Sequence, residues 1–173
     1  YMLFKRFNRS ISKTSPGVAS QNRPSIIFRL ADFYLIYAEV ANEVNPSDSR
    51  VLTYLNLVRE RAGLPKVEIL NPGIVGNKEL QRAAIQRERQ IELATEGQRY
   101  FDVRRWMIAD KDGEGRQNGY AHGMNVRGTI NDTEEFNRVV ETEKIVFNRK
   151  MYLQPIPDHE MRKTQNLVQN PGW

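Results

Sequence analysis

At 173 residues, with 39% hydrophobic and 27% charged side chains, the chain has an ordinary globular composition and enough length to bury about 70% of its unfolded surface in a single domain. The net charge of +5 comes from bases interleaved with acids, which reads as a solvated surface and not as a nucleic-acid footprint. No cysteine is present, so disulfides, thiol nucleophiles and cysteine zinc sites are excluded, and no apolar run approaches the roughly 18 residues that a membrane span needs.

No signal peptide is visible and the first residue is Tyr1, so the sequence reads as a fragment of something longer. Residues 1–28 form a lead-in: Tyr1, Leu3, Phe4 and Phe7 suggest a short strand, and Ser10 to Pro24 is a loop rich in Ser, Gly, Pro and Asn. The first strong helix spans about Arg29 to Val44. Leu30, Phe33, Tyr34, Tyr37, Ala38, Ala41 and Val44 follow the three-four spacing, while Leu35, Ile36 and Val40 fill other faces. A helix apolar nearly all round is expected to be sandwiched between neighbours. Asn45-Pro46 ends it, and Ser47 or Asp48 caps a second helix that runs to about Ala62 with Val51, Leu52, Leu55 and Val58 on its stripe. Gly63 and Pro65 stop that helix, and Arg59 and Arg61 lie in its last turn, where the dipole favours cations. Arg29 to Ala62 is 34 residues, the size of one tetratricopeptide unit, although an arbitrary helical hairpin has the same outline.

After a loop from Leu64 to Gly76 comes the stretch LQRAAIQRERQIELATEGQRYFDVRRWM, residues 80–107, with Asn77 as candidate N-cap and Glu79 in the first turn. Leu80, Ala84, Ile91 and Ala94 mark its apolar stripe. Glu88, Glu92 and Glu96 stack on one face, where each like-charge neighbour costs an isolated helix roughly 0.2–0.5 kcal/mol. The row therefore needs cations. Arg89 and Arg99 supply part, and Arg59 and Arg61 are the candidates from another element. Gly97 predicts a kink or break, at about 1 kcal/mol relative to alanine. Beyond it Tyr100, Phe101, Val103 and Trp106 bring bulk, and Arg99 and Arg105 flank Asp102. Asp110 to Asn131 is turn-rich. Arg138–Val140 and Ile145–Phe147 are expected to pair as a hairpin across Glu141 to Lys144. In the tail, two prolines bracket Ile156, Asp158 caps a short helical turn, and the terminal Trp173 is expected to pack onto something.

No catalytic constellation emerges. Asp110, Asp112, Glu114 and Gly115 resemble the start of a calcium loop, but the twelfth position, where a bidentate Glu is required, is Ala121, so a solvated turn is the better reading. The glutamate row could hide an acid/base pair, yet carboxylates one turn apart on an arginine-rich helix are far more often structural. His122 and His159 lie apart and in no HExxH spacing, and no GxSxG, Walker loop or dinucleotide fingerprint occurs. Tyr120 could stack on a sugar ring, but turn aromatics more often pin their own loop. No metal or cofactor is expected.

The segments LADFYLIYAEVANE, LNLVRERAGLP, IQRERQIELATEGQRYFDVRRWM, LQPIP and QNPGW, in this order, resemble the C-terminal region of the SusD/RagB family of bacterial nutrient-binding proteins over nearly all of Arg29 to Trp173. Thr95 departs from the family pattern, where a bulky apolar residue is expected. The resemblance implies a mainly α fold, with tetratricopeptide-like helix pairs, irregular loops and at most a short β-hairpin, and with residues 29–173 forming the C-terminal helical domain. It implies an outer-membrane, cell-surface lipoprotein of Bacteroidota, anchored by a lipid outside this chain. Such a protein binds a glycan or other nutrient without cleaving it, for a SusC-like TonB-dependent transporter, and binds no nucleic acid. It carries over no ligand residue by position, and it casts Glu88, Arg89, Glu92, Glu96, Arg99, Asp102 and Arg105 as a structural ion-pair network. Two other classes stay open: a helical-repeat interaction module without sugar binding, and a polysaccharide-cleaving enzyme.

Overall fold

The structure, a computed structural model, describes residues 26–111, 119–124 and 138–173. Its body is a helical hairpin, α1 (Leu30–Val44) and α2 (Arg50–Arg61), with a third long helix, α4 (Lys78–Glu92), laid across it. The link between hairpin and α4 holds the single-turn helix α3 (Val67–Leu70) and a 3-10 turn at Pro72–Ile74. Ala31, Leu35, Ala38, Val51, Leu55, Val58, Val67, Ile74 and Ile85 form one core. The α2 stripe is as expected, with Val51, Leu55 and Val58 fully buried. The end of α2 is closed by paired bonds from Gly63 N–H to the Glu60 carbonyl and from Leu64 N–H to the Arg59 carbonyl, the closure that glycine just past a helix favours. Asn77 caps α4 through its side chain, which accepts from the Leu80 amide at 3.1 Å.

The buried faces of α1 and α4 differ from the expected stripes. On α1 the covered side chains are Ala31, Asp32, Leu35, Ala38 and Asn42, while Leu30, Phe33 and Val44 stay exposed. On α4 they are Gln81, Ile85, Glu88 and Arg89, whereas Leu80 is 40% and Ile91 58% exposed. The polar face of α4 turns inward because its donors and charges find partners there, although the Gln81 Oε1 oxygen is buried without one. Gln81 donates to the Ile74 carbonyl at 3.1 Å, Asn42 of α1 donates to the Lys78 carbonyl at 3.0 Å, and the charged residues pair as described below.

Residues 80–107 are two helices and not one. α4 stops at Glu92 and α5 runs from Gln98 to Arg105. Gly97 sits between them at φ +85°, a left-handed conformation in which a Cβ would cost about 1–2 kcal/mol even though the space around it is open. Thr95 also lies at positive φ, +69°, so the departure from the family pattern falls in the turn itself and not on a packed helix face.

A two-stranded antiparallel sheet follows, β1 (Gly119–Met124) and β2 (Arg138–Ile145), with Gly119 opposite Ile145, Met124 opposite Arg138, and a register slip between Tyr120 and His122. This corrects the expected hairpin. Residues 138–145 form one continuous strand whose partner lies upstream in the glycine-rich stretch, and Phe147 is outside it. Phe147 is instead buried against Val103 and Ala109 in a second core, which Ile108, Met151 and Tyr152 border. The lead-in strand expected before residue 26 and the calcium-loop positions Asp112, Glu114 and Gly115 lie outside the described residues.

The C-terminal segment closes on itself. The short helix α6 (Asp158–Met161) starts at Asp158, after Pro157. The Ile156 amide donates to Gln169 Oε1 at 2.8 Å, and Gln169 Nε2 donates back to the Ile156 carbonyl at 2.9 Å. Asn170 Nδ2 donates to the Gln154 carbonyl at 2.6 Å. Trp173 does pack: its indole N–H reaches the Lys150 and Leu153 carbonyls at 3.0 Å, and the Lys150 ammonium stands 4.3 Å from the ring centroid. Gly172 is at φ +87°, and a Cβ there would come within 3.0 Å of Lys150 Cβ.

Candidate functional site

The densest concentration of chemical groups is the seam where α4 meets α1, α2 and α5. Arg89, 3% exposed, is its hub. Its Nη1 donates to Asp32 Oδ1 of α1 at 2.8 Å. Its Nε and Nη2 take the two oxygens of Asp102 on α5 at 3.0 and 3.1 Å. This forked, two-toothed geometry is the one a planar guanidinium makes best, and it fixes both position and orientation of the carboxylate. Asp102 also accepts from Arg105 Nε at 2.9 Å, and Arg105 grips Glu39 of α1, with one oxygen at 2.7 Å from Nη2. Trp106 Nε1 donates to the same Glu39 at 2.7 Å. The run Asp32–Arg89–Asp102–Arg105–Glu39 thus starts and ends on α1 and ties α4 and α5 to it.

A second run follows the glutamate row. Arg59 Nη1 lies 2.9 Å from Glu88 Oε2, and Arg59 Nε also donates to the Pro65 carbonyl. Arg61 pairs with Glu92. Both arginines of the α2 terminus therefore reach the row. Arg29, just before α1, spans the rest: its Nη1 is 2.5 Å from Glu92 Oε1 and its Nε 2.9 Å from Glu96 Oε2. Burial works against the Arg29 cation, but its hydrogen bonds to Glu96 and Glu92 outweigh that and raise its pKa above the ordinary arginine value. The balance at Arg105 has the same form: burial opposes the charge, and the hydrogen bonds to Glu39 and Asp102 overcome it.

A third, exposed cluster sits where the end of α1 meets the start of α4. Glu43 accepts from Arg82 at 2.7 and 2.8 Å and pairs with Lys78 at 2.9 Å. The hydrogen bonds from Arg82 lead in pulling the Glu43 carboxyl down to about 2.

The structure brings Glu88, Arg89, Glu92, Glu96, Asp102 and Arg105 onto this one seam, and Arg99 lies beside a groove on the outward side of α4. That groove, of about 380 Å³, is lined by Ala83, Gln86, Arg87, Gln90 and Ile91 and closed by Arg99 and Ile108. Asp32, Glu39 and Arg29 are seam residues that the sequence reading missed. The available signal was two acids seven residues apart on a helix otherwise apolar, a spacing that puts them on one face.

Among the described residues no group of three or more His, Asp or Glu could hold a metal ion. Asp110, from the calcium-loop reading, receives the Tyr152 hydroxyl at 2.6 Å, and that bond leads in lowering its pKa. His159 is an exposed side chain 3.0 Å from Glu160. The seam can hold helices in register. Its acids face arginines across helix interfaces and not an open cleft.

A family model described as the SusD family matches residues 1–173. The SusD-like protein P25 of Formosa agariphila is 44% identical over 104 residues, which is 60% of this chain and 19% of that protein. The SusD-like protein P2 of the same organism is 31% identical over 153 residues, 86% of this chain and 26% of that one. Among solved structures, a SusD-like protein from Bacteroides fragilis matches with a TM-score of 0.68 and 31% identity, over 86% of this chain and 26% of its own. The chain therefore spans about a quarter or less of the length of these relatives.

Proposed function

The chain belongs to the SusD family, and from that membership we propose that it is the C-terminal scaffold of a cell-surface protein that captures a glycan or another nutrient for a SusC-like TonB-dependent transporter and leaves the ligand intact. In this reading residues 29–173 act as one helical unit, with residues 1–28 leading into it. Attachment to the outer membrane comes from a lipid anchor upstream. Among the described residues no helix is long and apolar enough to cross a membrane.

The observation that carries the binding reading is the engagement of the carboxylates. Glycoside cleavage needs one carboxyl holding a proton and a second about 5–9.5 Å away, both open to the sugar. Here Asp32, Glu88, Glu92, Glu96 and Asp102 are each engaged by an arginine between packed elements. That arrangement supports a frame for a binding surface. It leaves these acids no face to present to a substrate.

The test uses the full-length protein. Affinity gel electrophoresis against a polysaccharide panel should show retarded migration with at least one glycan, with no release of reducing ends. The transporter should copurify from outer membranes. Reducing-sugar release overturns the reading in favour of an enzyme. Migration unchanged on every glycan, together with copurification of a different protein, favours the interaction module.

A further inference from the structure

Where the end of α1 meets the start of α4, two side-chain amides are buried but only half matched. Asn42 and Gln81 are each 1% exposed. Asn42 Nδ2 donates to the Lys78 carbonyl at 3.0 Å, and Gln81 Nε2 donates to the Ile74 carbonyl at 3.1 Å. These bonds fix which end of each amide is nitrogen, because a flipped amide would set oxygen against a carbonyl oxygen. The other ends, Asn42 Oδ1 and Gln81 Oε1, are buried and accept no hydrogen bond among the described residues. Gln81 lies three residues after Lys78 on the same face of α4, and its side chain reaches back toward Ile74. The Lys78 carbonyl that anchors Asn42 falls within that span, so both amides occupy one patch of the interface. Their same-face neighbours, Ala38 one turn before Asn42 and Ile85 one turn after Gln81, belong to the apolar core and donate nothing.

We propose that one trapped water bridges Asn42 Oδ1 and Gln81 Oε1, donates a proton to each, and is a built-in part of the α1–α4 joint. A buried acceptor without a donor is costly, and folded interiors nearly always supply one. Three features select water as the donor. Residues of this segment already close the patch, so a side chain from elsewhere in a longer polypeptide has no way in. Two neutral oxygens, each sharing its amide with an N–H group, are too few for a hard cation, which takes about six to eight oxygens. A buried water takes about two to four polar partners, and the joint offers it two acceptors. With both oxygens matched, the joint is a satisfied polar contact that favours one register of α1 on α4. This inference does not depend on the ligand-binding reading, since glycan retention neither requires the water nor reports on it.

A high-resolution crystal structure of the full-length protein tests it directly. A solvent peak should stand about 2.7–3.0 Å from both oxygens. Absence of density there, a peak touching only one oxygen, or a protein donor reaching either oxygen overturns the proposal. So does a multiply coordinated peak at the roughly 2.3–2.6 Å of a cation. Oxygen-17 magnetic relaxation dispersion in solution adds a second measure, comparing the parent with the double variant Asn42→Leu/Gln81→Met. In that variant the Ile74 carbonyl keeps the Asn77 amide as donor and the Lys78 carbonyl stays in the α4 ladder, so the fold should be retained, as circular dichroism would check. The amplitude from long-lived waters should drop by the contribution of one molecule. An unchanged amplitude in the folded variant also overturns the proposal.

Discussion

At the scale of single residues, the interior is held by groups whose value lies in being matched. Removing one partner of a buried ion pair strands the other, and typical costs are about 3–5 kcal/mol. Arg89→Ala strands Asp32 and takes the forked partner from Asp102, which keeps Arg105, and both carboxylates are under a tenth exposed, so urea denaturation of the intact protein should show a loss within that range. Arg61 makes the contrasting case. Its side chain is 61% exposed, and pairs of that kind contribute about 0.2–1 kcal/mol, so Arg61→Ala should shift the midpoint little while Arg59→Ala, at a side chain 14% exposed, shifts it clearly. Glu43 gives a pH signature. Its folded pKa is lowered from 4.5 to about 2, so its stabilisation is fully present above pH 4.5 and is lost as pH falls toward 2. Melting temperature against pH should therefore fall less steeply across that window in Glu43→Gln than in the parent. The need of the glutamate row for cations was legible because like charges stacked on a helix demand them, and Arg59, Arg61 and Arg29 stand against Glu88, Glu92 and Glu96. Asp32, Glu39 and Arg29 were not legible, because a single sequence does not show which acid of an apolar helix faces inward.

The helices themselves were legible where propensity and punctuation agree. Asn77 begins α4 and Gly63 closes α2, and both sit where the sequence places them. The faces were legible only in part. Reading apolar residues as inward works for Val51, Leu55 and Val58, which all lie in the core shared with α1. It fails for Leu80 and Ile91, because α4 buries a hydrogen-bonded polar face whose partners, Ile74, Asp32, Arg59 and Asp102, lie on other elements. The hairpin was misread for a related reason. The residues expected to turn, Glu141 to Lys144, lie in mid-strand, and their pairing partner sits in a stretch whose glycines read as turns. At the break between α4 and α5, Gly97→Ala should cost about 1–2 kcal/mol, measured by denaturation, with no clash to add to it since the site is open.

For the molecule as a whole, the tail is fastened by side-chain-to-backbone bonds around Ile156. Gln169→Ala removes both bonds to Ile156, so hydrogen exchange at the Ile156 amide should quicken and stability should fall by about 1–3 kcal/mol. The motifs LQPIP and QNPGW were visible as strings, but that one clasps the other appears only in three dimensions. Arg89 carries a different consequence, which concerns descent and not stability. Its partners sit 57 and 13 residues away in the chain, so three codons are coupled through one guanidinium. Each single change at this trio leaves a buried charged group short of a partner, Asp32 most completely when Arg89 is lost, whereas an all-apolar replacement of the set is tolerated in other buried networks. Drift at these sites should therefore be blocked one step at a time and open only to concerted exchange, and a library randomising Asp32, Arg89 and Asp102 together should yield folded survivors that the three separate single-site libraries lack.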